Sequence, residues 1–222
     1  MSDIFSEVDE EVRREQFKKL WERYGVYVVA AAVLFVAAVA GWRGYEWWEG
    51  KKAAEAGSAF EAAVQLSQEG KQAEAEAAFA KLAKEGTASY RGLAKLREVA
   101  ELAKRDPKAA VPIYDGLAAD RDLGPLLRDI AAVRAGYILV DTDSYAEVLR
   151  RLEPLTAADR AFRHSARALL ALSAWKANDA AAVRRWSDMI LADADTPPSA
   201  RSQVEMLMAL TANEAKTDEP KS

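Results

Sequence analysis

The chain has 222 residues, with 31 basic against 35 acidic side chains, one histidine and no cysteine. A net charge of -4 argues against a nucleic-acid binder, which presents a basic excess. The missing cysteines and lone histidine exclude thiol nucleophiles, cysteine–histidine zinc sites and multi-histidine metal centres.

Ser6 to Arg23 places Val8, Val12, Phe17, Leu20 and Trp21 at helical spacing, and Ser6 with Asp9 has the spacing of a capping box. This amphipathic segment either lies on a membrane surface or extends the helix that follows. From Tyr24 to Trp42 the chain runs without a charge, closed by Arg23 and Arg43. As a helix this stretch measures roughly 28 Å, close to the apolar thickness of a bilayer. Trp21 and Tyr24 stand at one end, and Trp42, Tyr45, Trp47 and Trp48 at the other, where amphipathic rings favour a membrane interface. A cleaved signal has a shorter apolar core and a small-residue exit, so the stretch reads as an anchor. Arg13, Arg14, Lys18, Lys19 and Arg23 precede it, against Arg43, Lys51 and Lys52 after it, which favours a cytoplasmic N-terminus.

Alanine dominates the remainder, while glycine and proline are few, so helix is expected nearly throughout. Helices are predicted over 51–69, 71–84, 88–105, 107–119, 125–140, 145–155, 157–177, 180–192 and 197–214. Asp106-Pro107 and Thr196-Pro197 set an acceptor at the cap and proline at the first helical position. Ser144 with Glu147, and Thr156 with Asp159, repeat the capping-box spacing. Pro112 is expected to bend or delay its helix. Residues 216–222 read as a disordered tail.

The second helix of each pair repeats a small residue, a large one four later, and an apolar one three after that. The sets are Ala75, Phe79, Leu82; Ala110, Tyr114, Leu117; Val148, Leu152, Leu155; and Ala182, Trp186, Met189. Gly136 falls at a small position where two helices are expected to approach closely. The pattern resembles the tetratricopeptide repeat, a stacked helix pair of about 34 residues. The fold class is accordingly all-α: one N-terminal transmembrane helix followed by a tetratricopeptide-like α-solenoid of helical hairpins. The expected divisions are a cytoplasmic segment 1–23, a transmembrane helix 24–43, a repeat domain 44–215 and a tail 216–222.

A charged N-terminus, one apolar span ending Gly41-Trp42-Arg43, the aromatics Tyr45, Trp47 and Trp48, and then degenerate repeats resemble the ancillary Sec translocon subunit family (YfgM-like). The resemblance implies a single-pass protein of the bacterial inner membrane with cytoplasmic N-terminus and periplasmic repeats. It further implies partners among the Sec translocon subunits and a membrane-anchored periplasmic chaperone, and assistance to proteins emerging from the channel. A scaffold for another envelope process, such as cell division or envelope assembly, is the alternative.

No phosphate-binding glycine loop, nucleophile elbow or dinucleotide fingerprint occurs in the sequence. An enzyme is not expected, and neither is a cofactor, a metal, a small-molecule substrate or a nucleic acid. An enzyme with a scattered active site would need a pocket of convergent ionisable groups. His164 is expected at the surface among solvated charges; Asp141, Asp143, Asp193 and Asp195 are expected to cap helix ends. Basic residues concentrate on the first helices of the pairs, acidic ones on the second. Because first helices line the concave side of tetratricopeptide arrays, Arg91, Lys95, Arg128, Arg134, Arg163 and Arg167 are the candidate partner-binding residues. Within the apolar span, Ala37 with Gly41 and Ala40 with Gly44 form small-residue pairs that suit lateral helix packing in lipid.

Overall fold

The computed structural model describes residues 3–217, with side-chain surroundings described for residue 14 and residues 18–212. The helices are α1 (Asp3–Gln68), α2 (Gln72–Glu85), α3 (Ala88–Arg105), α4 (Pro107–Ala119), α5 (Pro125–Thr142), α6 (Tyr145–Leu152), α7 (Arg163–Lys176), α8 (Ala180–Leu191) and α9 (Pro198–Thr217). A single 3-10 turn, Glu153–Leu155, follows α6, and there is no strand among the described residues. The chain divides into two compact units, residues 1–55 and residues 56–222.

The first unit is helical. Within α1, the stretch Lys18–Gln68 contains an 18-residue window of mean hydropathy 2.2, long and apolar enough to cross a membrane. Its large side chains from Val26 to Trp48 are exposed, so no protein core accounts for them. Lys52 lies 3.6 Å over the Trp48 ring, and the Arg23 guanidinium 5.8 Å over that of Tyr24. Ser6 stands inside α1 and does not start it, while the side chains of Val8, Val12 and Phe17 lie outside the described residues. The predicted separate helix over 51–69 is the end of α1: neither proline nor a left-handed residue interrupts it, and its glycines stay helical.

The second unit stacks helices in two layers. Each helix from α2 onward packs on the next, and α3 also touches α5, α5 touches α7, and α7 touches α9. The last turns of α1 take the corresponding place beside α2 and α3. Phe60 meets the Phe79 ring edge-on at 5.4 Å and the Tyr90 ring at 5.7 Å. Odd-numbered helices thus form one layer and even-numbered helices alternate behind them, as a stack of hairpins requires.

The repeated stripe is the seam between the layers. Ala75, Phe79 and Leu82, then Ala110, Tyr114 and Leu117, then Val148, Leu152 and Leu155 are all buried. Each large member contributes about 1.5–3 kcal/mol by leaving water. The fourth unit departs from the predicted register. Val183, Trp186 and Ile190 are buried there, while Ala182 and Met189 are only partly so. Trp186 explains the rotation: its indole N–H donates to the Tyr145 hydroxyl at 2.8 Å, which fixes the azimuth of α8.

Two hairpin turns share one geometry. After α1, Gly70 has φ +76°, and the Lys71 amide donates to the Leu66 carbonyl at 3.0 Å. After α7, Asn178 has φ +57°, and the Asp179 amide donates to the Ala174 carbonyl at 2.9 Å. Both are six-to-one closures around a left-handed residue, a conformation that glycine adopts freely and asparagine tolerates. Asp106 caps α4 through the Ala109 amide at 3.0 Å, and Ser144 caps α6 through that of Glu147 at 3.4 Å.

Three local expectations need correction. Helix α7 starts at Arg163, because Thr156 does not cap: its hydroxyl donates back to the Glu153 carbonyl at 2.8 Å, and its own carbonyl is taken by Arg167. Helix α9 starts at Pro198; the Thr196 hydroxyl donates to the Ile190 carbonyl at 2.6 Å. Pro112 does not delay α4, which runs through it from Pro107 to Ala119, and its missing amide orphans only the carbonyl of exposed Lys108. Of the predicted tail, residues 216 and 217 are helical, and the rest lies outside the described residues.

Candidate functional site: cations of the first-helix layer

The six candidate cations fall into two groups. Arg167, on α7, is 5% exposed. Its guanidinium donates to the Thr156 carbonyl at 3.0 and 2.7 Å, to the Met189 carbonyl at 3.2 Å and to Asp193 at 3.0 Å. Arg163, one turn earlier, donates to Asp193 at 2.7 Å and Asp195 at 3.1 Å. Asp193 also accepts from its own turn, the Asp195 amide at 3.1 Å, and lies 3.0 Å from Nε2 of His164. The Arg163 bond above all, with further donors behind it, holds the Asp193 carboxyl well below the usual carboxylate range; in return Asp193 raises the pKa of Arg163. These cations bind α7 to the end of α8.

His164 and Asp193 therefore differ from their sequence readings. His164 is mostly covered, at 13% side-chain exposure, and Asp193 is the hub of an ionic cluster, not a helix cap. Asp141 pairs with Lys176, while Asp143 accepts from the Ser144 amide at 2.8 Å. Among the described residues no three His, Cys, Asp or Glu side chains gather as metal ligands.

The other four cations lie on α3 and α5. Lys95 pairs with Asp120 at 3.2 Å. With Lys84, Arg91, Asp122 and Leu127, it lines a cleft of about 420 Å³ where the α2–α3 turn faces the α4–α5 turn. Gly92 makes the cleft floor close-packed: a Cβ there would come within 2.7 Å of Leu127. Arg128 is half-buried, and its Nε has no hydrogen-bond partner among the described residues. Arg91 and Arg134 are exposed, and neither has a salt bridge among the described residues. Arg97 on α3 has the same standing as Arg134 and was missed as a candidate. Its signal in the sequence is its place on the exposed Leu93-to-Arg97 turn of an otherwise amphipathic helix.

Ala37, Ala40, Gly41 and Gly44 are all exposed on α1, and a Cβ added at either glycine would meet nothing within 4 Å. This leaves a notch along the apolar stretch into which another helix can fit.

The two layers, their buried seam and the exposed first-helix face are the anatomy of a binding scaffold, and comparison with known proteins bears on this directly. A family model described as a tetratricopeptide repeat-like domain matches residues 18–169, from just ahead of the apolar stretch into α7. No curated protein and no solved structure matches the chain. With most of its length matched, the chain belongs to the tetratricopeptide repeat-like domain family.

Proposed function

We propose that this protein is a membrane-tethered interaction scaffold of the bacterial inner membrane, an ancillary subunit of the Sec translocon. In this reading residues 1–23 are cytoplasmic, residues 24–43 span the bilayer, and the repeats of 44–215 work in the periplasm. They bring translocon subunits and a membrane-anchored chaperone together where polypeptides emerge. The mechanism is local concentration: a tether converts encounters between partners into near-intramolecular events. One observation carries the reading. The same chain joins an exposed, membrane-length apolar helix to an array whose family serves protein binding.

Arg91, Lys95, Arg128 and Arg134 are the proposed partner-binding cations. Arg163 and Arg167 face α8 and serve the array itself. The Ala37–Gly41 and Ala40–Gly44 pairs are the proposed lateral contact, tested by Gly41→Leu, which should lower co-purification of membrane partners. The translocon reading is tested by affinity purification of the full chain from detergent-solubilised membranes. Channel subunits at stoichiometric recovery are expected; recovery of cell-division or envelope-assembly proteins without the channel would replace this reading by that one. Protease digestion of intact and lysed spheroplasts tests the sidedness, since periplasmic repeats are cut before lysis.

A further inference from the structure

Large apolar side chains exposed beyond residue 48 are few among the described residues: Leu93, Ile113, Leu126, Tyr137, Met206 and Leu210. Three of the six lie on α3 and α5, which pack side by side in the first-helix layer. On α3, Leu93 is followed one turn later by Arg97. On α5, Leu126, Ile130, Arg134 and Tyr137 recur at steps of three and four, along one face. Counted back from Arg105 and Thr142, where the two helices end, Arg97 and Arg134 each stand eight residues in. They are equivalent positions of successive repeats.

Both arginines are exposed and lack a salt bridge among the described residues. Both act on the same buried group: burial pushes the Tyr114 hydroxyl up, and Arg134 and Arg97 oppose that rise. The acid near them, Glu101, is buried and already accepts from Lys104 at 2.8 Å and from the Ser67 hydroxyl. Arg97 adds to the pull that lowers the Glu101 pKa, but neither arginine closes a salt bridge among the described residues, so the pair presents two cationic heads on neighbouring helices, framed by apolar surface.

We propose that the exposed α3–α5 face, with Arg97 and Arg134 between Leu93, Leu126 and Tyr137, seats an extended polypeptide segment in which carboxylates alternate with apolar side chains. This rests on the protein-binding reading above and names the chemistry of the segment bound. A guanidinium fork accepts a carboxylate in two parallel hydrogen bonds, and two forks on neighbouring helices select a segment running across the helices. Leu93, Leu126 and Tyr137 take the apolar side chains in between, where area removed from water adds affinity without regard to exact sequence. A basic segment is repelled by the same pair.

The test is fluorescence anisotropy with the full chain in detergent micelles and three dye-labelled dodecapeptides, alternating leucine with glutamate, glutamine or lysine. Protein-free micelles are the blank. The Leu–Glu peptide should bind, the Leu–Gln peptide about tenfold more weakly, and the Leu–Lys peptide not at all. Arg97→Glu with Arg134→Glu should weaken the Leu–Glu peptide by about tenfold or more, and Arg97→Gln with Arg134→Gln by an intermediate factor. Arg184→Glu, at an exposed arginine of α8, should leave binding unchanged. Equal binding of all three peptides, binding indifferent to both double variants, or no binding of any peptide would overturn the proposal. Should the peptides fail while channel subunits still co-purify, this seat alone is lost. If the peptides behave as expected and the channel does not co-purify, the translocon reading alone is lost.

Discussion

Alanine at Gly136 and alanine at Gly116 should shift stability in opposite directions, although both glycines are helical. In a helix interior, glycine to alanine gains up to about 1 kcal/mol from reduced backbone freedom in the unfolded chain. At Gly116, on exposed α4 surface, an added Cβ meets nothing within 4 Å, so that gain stands alone. At Gly136 the added Cβ would lie 2.8 Å from Cδ1, 3.0 Å from Cδ2 and 3.2 Å from Cγ of Leu152. Leu152 is itself fully buried, so its methyl groups can yield only by moving against other core side chains. Overpacking of this kind costs about 1–3 kcal/mol, so after the helix gain Gly136→Ala should lose about 1 kcal/mol. Urea titration of the full chain in detergent micelles, followed by far-ultraviolet circular dichroism, reads both signs as midpoint shifts. A second arm isolates the cause. Leu152→Ala alone should cost about 2–5 kcal/mol, but in that background the Gly136 methyl enters vacated space and should stabilise. If Gly136→Ala shifted the midpoint equally in both backgrounds, the close approach of α5 and α6 would not be what keeps that position small.

Four further outcomes are expected. Trp186→Phe keeps the aromatic body but strands the Tyr145 hydroxyl and should cost about 1 kcal/mol, whereas Trp186→Ala should cost about 3–5 kcal/mol, both read as urea midpoints. Arg167→Ala should destabilise by about 3 kcal/mol, because it leaves the buried Thr156 carbonyl without its donor and takes one of several donors from Asp193, while Arg91→Ala should leave the midpoint in place. Asp193→Asn should lower the midpoint at neutral pH. Because the folded state depresses the Asp193 pKa, its contribution is present above the unfolded carboxylate value of about 3.9 and fades as pH falls below it; the gap between wild type and variant should therefore close under acid. Val33→Arg places a charge near the centre of the apolar stretch and should raise insertion cost by about 2.5–3.5 kcal/mol, seen as loss from the carbonate-resistant membrane fraction.

The helices were legible where local chemistry decides them. Asp106-Pro107 and Ser144 with Glu147 cap as their residue types dictate, and the stripe from Ala75 to Leu155 is buried as its spacing requires. Two of the departures occur where a distant partner overrides a local preference. Thr156 has the composition of a cap, but Arg167, eleven residues on, takes its carbonyl and the helix begins later. The α8 stripe rotates because Trp186 reaches Tyr145 on α6, a bond between side chains 41 residues apart. No window of a single helix contains that information.

Charge shows the same division more sharply. Arg134, Arg163 and Arg167 read alike in the sequence, as cations on first helices, and nothing within their own turns separates them. What separates them is the helix that follows. Beyond α8 the chain turns at Asp193 and Asp195, so acids arrive opposite Arg163 and Arg167 and close them off. Beside the exposed turns of Arg97 and Arg134 no acid closes a salt bridge among the described residues: Glu101 feels Arg97 but bonds to Lys104, and Asp129 pairs with Arg160. A cation inside a repeat array becomes structural or free according to the turn that its successor presents. Arg97 and Arg134, on successive repeats, are left without a salt bridge among the described residues, and for that reason charge reversal there should alter binding while leaving the fold intact.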